Sequence, residues 1–106
     1  MDIKTLSERA LEIRAKYVEL EKKRDGKEWS NIDLGKGFIK DVTDLMEIIK
    51  AKEGLAAIEN VDEKLAHELS DCLWSVFVLA SKYSVDLEQA FMKTMDELEM
   101  RIDSQK

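Results

Sequence analysis

An all-α fold, a bundle of four helices, is what this sequence predicts, and three observations carry that expectation. The 106 residues contain no proline and only four glycines, so little interrupts a helix or terminates short strands. Ala, Leu, Glu, Lys and Met, all strong helix formers, are abundant. Apolar residues return at alternating spacings of three and four in four successive segments with short connections, the pattern of helices packed side by side.

The first helix is read from Ile3 through Leu6, Ala10, Ile13, Tyr17 and Leu20, a single stripe that stops near Asp25 and Gly26. A polar stretch, KEWSNIDLG, with an isolated Trp29 leads to the second helix. There Phe38, Ile39, Val42, Leu45, Met46 and Ile49 form the apolar face, Asp33 is the expected N-cap and Gly54 marks the end. Asn60 with Glu63 reads as a capping-box variant opening the third and most apolar helix, which carries Leu65, Leu69, Cys72, Leu73, Val76, Leu79, Ala80 and Tyr83. After a break at Ser84 and Val85, Asp86 with Gln89 caps a fourth helix bearing Leu87, Phe91, Met95, Leu98 and Ile102. No linker or low-complexity tract divides the chain, so residues 1–106 are expected to form one domain. A domain this small buries little more than half of its unfolded surface. A symmetric partner, in a homodimer or homotetramer, is therefore expected to complete the core.

Seventeen basic against 23 acidic residues give a net charge of −6, with the basic residues scattered. No cationic surface exists to neutralise a nucleic-acid backbone, so nucleic-acid binding is not expected. An anionic ligand would be repelled unless cations mediate between it and the carboxylates. The single cysteine, Cys72, lies in an apolar run and reads as core filler. No apolar run approaches the ~20 residues of a membrane span, and the opening MDIKTLSERALEIR lacks a signal-peptide core. A soluble, cytoplasmic protein is expected.

The acids are not evenly placed. Asp41-Val42-Thr43-Asp44 in the second helix and Glu68-Leu69-Ser70-Asp71 in the third share one chemical pattern at an offset of 27 residues. At about 100° per residue, acids at i and i+3 present their carboxylates together. Both pairs border the apolar stripe on the same rotational side, so antiparallel packing of the two helices brings Asp41, Asp44, Glu68 and Asp71 to one rim. Like charges beside a hydrophobic seam repel and lose hydration unless a cation neutralises them. Oxygen-only ligands select a hard ion, Mg²⁺ or Mn²⁺. The competing reading is ordinary, because acid pairs at this spacing are common on solvated helix faces.

HELSDCLWSVFVLASKYSVDLEQAF, with DVTDL upstream, resembles the MazG-like all-α nucleotide pyrophosphohydrolases, whose signature is E-x-x-E, a spacer, then E-x-x-D. The order here is Asp41-x-x-Asp44, 23 intervening residues, and Glu68-x-x-Asp71; the similarity runs from about Trp29 to Arg101. The resemblance implies Mg²⁺-dependent hydrolysis of a (deoxy)nucleoside triphosphate to monophosphate and pyrophosphate, with Mg²⁺ held by the four acids. Glu68 is the candidate base for the attacking water. Asp at 41 and 44 shortens each arm by one methylene relative to the family's usual Glu. A Lys and, four residues later, an Asn are frequent on the family's last helix; this chain aligns Thr94 and Leu98 there, leaving Lys93 and Arg101 as the candidate phosphate contacts. Trp29 and Trp74 are candidates to stack on a base, against packing roles for each. His67 reads as a surface residue, or as one that touches a metal ligand without being one. The alternative is a catalytically weak or inactive nucleotide-binding or metal-binding interaction protein of the same fold.

Overall fold

The computed structural model describes residues 1–105. It comprises α1 (Ile3–Asp25), α2 (Asn31–Lys52), α3 (Val61–Lys82) and α4 (Leu87–Asp103), with no strand among the described residues. The all-α expectation holds. Asp2 opens α1 by accepting the Thr5 N–H at 2.9 Å. Gly26 ends it at φ 79°, donating its N–H to the Lys22 carbonyl; that left-handed conformation is readily reached only without a Cβ.

The helix starts differ from the sequence reading in two places. Ser30, not Asp33, caps α2: Ser30 Oγ accepts the Asp33 N–H at 3.1 Å, and the Asp33 carboxylate accepts the Ser30 N–H at 3.0 Å. Asp33 is thus the reciprocal partner of a capping box, and the polar stretch after Trp29 is already helical. At α3, Asn60 sits at φ 54° and its side chain makes no capping bond. Its short amide tolerates the left-handed turn, so backbone conformation rather than a side-chain cap begins this helix. Asp86 caps α4 through the Gln89 N–H at 3.1 Å, as expected.

Lys52 meets Asp62 beside the α2–α3 connection, while Asp41 meets Glu68 further along, so α2 and α3 run antiparallel in the most extensive interface of the molecule. α1 lies across α3, tied to it by the Trp74 indole N–H donating to the Ala10 carbonyl at 3.0 Å. Ala10, Leu34, Ile48, Phe77 and Val78 form the buried core. The inward face of α1 is turned from the expected stripe, with Ala10, Arg14 and Glu21 buried and Leu6, Tyr17 and Leu20 exposed. Two opposite charges seven residues apart enter the interior because they neutralise each other.

α4 buries none of its residues and packs only sparsely on the other helices. Phe91, Met92, Met95, Leu98 and Ile102 are all exposed. The radius of gyration, 16.9 Å, exceeds the ~13 Å of a compact chain of this length. The packed body is therefore the three helices α1 to α3, and α4 extends from it.

Candidate active site

Three of the four acids in the repeated pattern are brought together. Asp41 and Asp44 project from α2, and Glu68 from α3, so that one carboxylate oxygen from each lies within 4.8 Å of the others. All three are half-buried. Asp71, the fourth sequence-predicted ligand, stands beside this group but is drawn to His67, whose Nε2 lies 3.1 Å from its carboxylate. His67 is itself exposed and reaches the site through its contact with Asp71.

Electrostatics make the cluster costly as it stands. Burial, then the charges of Asp71, Asp41 and Asp44, pushes Glu68 above the usual carboxylate range. Burial followed by Asp71 and Asp44 does the same to Asp41, against the opposing pull of Lys40 and His67. Lys40 reaches Asp44 at 3.0 Å on the exposed side, which neutralises one charge of the group. Glu68 Oε2 is buried and has no hydrogen-bond partner. A buried anionic oxygen without a donor is a deficit, and together with two neighbouring carboxylates it fits a hard divalent cation. Cys72 is half-buried, and burial with the nearby Asp41, Glu68 and Asp71 pushes its thiol up.

Asp41 and Asp71 also edge a cleft of about 300 Å³ between α1, α2 and α3. Its walls include Tyr17, Trp29 and Trp74. Tyr17 and Trp74 form a tilted ring pair with centroids 5.8 Å apart. Trp29 lies over Gly37, where an added Cβ would come within 3.5 Å of the indole ring. Both tryptophans thus face the cleft, while Trp74 also packs α3 onto α1. Lys93 and Arg101 do not line it; both are exposed on α4.

Arg14 and Glu21 were not anticipated from the sequence. Arg14 Nη1 and Nη2 donate to the two Glu21 oxygens at 2.7 and 2.9 Å, and Glu21 Oε1 also accepts the Trp29 N–H at 2.8 Å. The Arg14 hydrogen bonds, opposed by burial and assisted by the Trp29 N–H, hold the Glu21 carboxyl below its ordinary range. This pair anchors the loop carrying Trp29 and lines the same cleft as Asp41 and Asp71. The only sequence signal was two charges at i and i+7 beside Ala10 on one helix face.

Among the described residues no helix is long and apolar enough to cross a membrane. No curated protein and no solved structure shows significant similarity to the chain. Residues 30–104 match the family model of the MazG nucleotide pyrophosphohydrolase domain, a span that contains both acid pairs and covers most of the chain. On that match, and with the all-α fold in place, the chain belongs to the MazG nucleotide pyrophosphohydrolase domain family.

Proposed function

We propose that the protein hydrolyses (deoxy)nucleoside triphosphates to the monophosphate and pyrophosphate, with Mg²⁺ or Mn²⁺ held by Asp41, Asp44 and Glu68, and Asp71 completing the set. The observation that carries this reading is the convergence of three carboxylates, one with a buried unpartnered oxygen, at the edge of an aromatic cleft of nucleoside size. The divalent ion would supply positive charge against the triphosphate oxygens and acidify the attacking water. In this reading Glu68 takes the proton of that water as it attacks the α-phosphorus, and the bond from that phosphorus to the bridging oxygen breaks to release pyrophosphate. Tyr17, Trp29 and Trp74 offer flat apolar surfaces for the base, and the half-buried setting of the acids limits competing water.

The role assigned to α4 is assembly. Its exposed apolar residues, together with Ile39, Val42, Met46, Leu69 and Leu73 on the exposed faces of α2 and α3, suit burial against a second copy in a homodimer or homotetramer. In such an assembly, α4 of a partner could bring Lys93 and Arg101, which do not line the cleft of their own chain, to the triphosphate. Light scattering that finds a stable monomer at micromolar concentration removes this part of the proposal.

Pyrophosphate release from a panel of ribo- and deoxynucleoside triphosphates, with Mg²⁺, Mn²⁺ or EDTA, tests the activity. Release that requires the metal and disappears in Glu68→Ala is the expected result. Silence across the panel with metal binding intact favours a nucleotide-binding protein that does not turn over.

A further inference from the structure

Within one chain, the cation beside the acids is Lys40. Its Nζ lies 3.0 Å from the Asp44 carboxylate, and Asp44 is one of the three acids whose carboxylate oxygens lie within 4.8 Å of one another. The ammonium thus stands beside any ion that those oxygens hold, within reach of a phosphate bound to that ion. Its own hold on Asp44 is weak, because the Lys40 side chain is 77% exposed and an exposed i, i+4 pair contributes little. A divalent ion on the carboxylates outcompetes it, and the ammonium, a compact charge on a flexible stem, is then free to turn. Two hollows meet at this side chain. Lys40, Trp29 and Gly37 line both the aromatic cleft and an adjoining groove, and the groove adds Lys27 and Lys36. The three acids of that groove are engaged: Asp25 faces Arg24 at 3.8 Å, Glu28 faces Lys82 at 3.9 Å, and Asp33 accepts the Ser30 N–H. Lys27 and Lys36 form no ion pair among the described residues. An anionic chain that passes Lys40 therefore meets further positive charge, in a molecule whose net charge is −6.

We propose that Lys40 binds the phosphate tail of the substrate: it pairs with Asp44 in the metal-free protein and, once a divalent ion takes that carboxylate, donates to a phosphate oxygen of the triphosphate that the ion holds. The proposal rests on the nucleotide reading above. Lys40 is in turn a place-holder and a phosphate contact, so its loss acts in opposite directions on two ligands. Removing it takes a competitor away from the metal ion and a donor away from the polyphosphate. A lysine that merely held Asp44 in place would weaken the binding of both.

Two titrations of the full chain and of Lys40→Ala test this, and neither needs turnover: Mn²⁺ alone, followed by electron paramagnetic resonance, and inorganic triphosphate in excess Mg²⁺, followed by calorimetry. Lys40→Ala is expected to bind Mn²⁺ at least as tightly as the wild type, and the triphosphate about tenfold more weakly, the effect of one hydrogen bond to a charged group. Lys40→Arg should restore the triphosphate affinity. Lys50→Ala, which also removes one positive charge from an ion pair on α2 but lies outside the cleft, should change neither affinity. Equal triphosphate affinity in the wild type and Lys40→Ala, no binding by either, a loss in Lys50→Ala as large as that in Lys40→Ala, or Mn²⁺ binding weakened together with triphosphate binding would each overturn the proposal. Metal-dependent pyrophosphate release from nucleotides with the same KM in the wild type and Lys40→Ala defeats the Lys40 proposal and leaves the enzymatic reading standing. Inorganic triphosphate held through Lys40 in a protein that releases no pyrophosphate from any nucleotide does the reverse.

Discussion

Arg14 with Glu21, and Asp41 with Asp44 and Glu68, both place charge inside the same three-helix body, yet only the first group is neutralised from within the chain. The α1 pair is buried and bidentate, and its carboxylate accepts a third hydrogen bond from the loop. The α2–α3 group crowds three carboxylates within 4.8 Å, finds one exposed lysine for Asp44, and leaves Glu68 Oε2 unpartnered. Folding alone would remove such a cluster, since a buried like-charge group opposes stability. The difference separates charge that holds the molecule together from charge that the chain itself leaves unpaired.

The comparison can be broken first by stability measurements in EDTA. Glu21→Ala strands a buried guanidinium and is expected to cost about 3 kcal/mol in urea unfolding. Glu68→Gln removes a repelling charge at a half-buried position and is expected to raise the melting temperature. If both variants lose stability alike, the two clusters are not different in kind. The next effect in size is metal linkage. Mg²⁺ at a hundredfold excess over its dissociation constant should stabilise the wild type by about 2.7 kcal/mol, read as a thermal shift, and should leave the Asp41→Asn, Glu68→Gln double variant unmoved.

A smaller effect concerns pH. Asp41 and Glu68 have raised values in the folded state, so their favourable contribution is complete below the unfolded carboxylate range and is lost as pH rises through the folded values. Glu21 has a lowered value, so its contribution is present above that range and is lost as pH falls. In EDTA, the stability advantage of the double variant over the wild type should therefore widen as pH rises from about 4 towards neutrality. An advantage that stays constant with pH would remove the electrostatic explanation. Smallest of all, Lys40→Ala breaks an exposed ion pair and should leave the metal-free melting temperature within experimental scatter, because such pairs contribute little.

Much of the fold was legible because period and punctuation agree. The spacing from Leu65 to Tyr83 gives α3, and Gly26 and Asp86 mark ends that the structure reproduces. The acid pairs were legible for the same reason, since i and i+3 on two antiparallel helices is a geometric statement. What the sequence hid lies where long-range contacts override local preference. Ser30 and Asp33 both qualify as caps, and only the reciprocal pairing on the folded backbone chooses between them. Asp71 matches the register of Glu68 but turns to His67 one turn earlier. Arg14 and Glu21 went unmarked because nothing local reveals that they meet each other under the Trp29 loop. The separation of α4 was equally hidden: its apolar stripe reads the same whether the face it covers belongs to its own chain or to another.

The central claim, that the unneutralised acids form a divalent-metal centre, is tested most directly by titrating Mn²⁺ into the protein and counting bound ion by electron paramagnetic resonance, beside Glu68→Gln. Saturable binding in the wild type that is lost in the variant, with both proteins folded by circular dichroism, is the predicted result. Equal binding by the two proteins, or none by either, would contradict it.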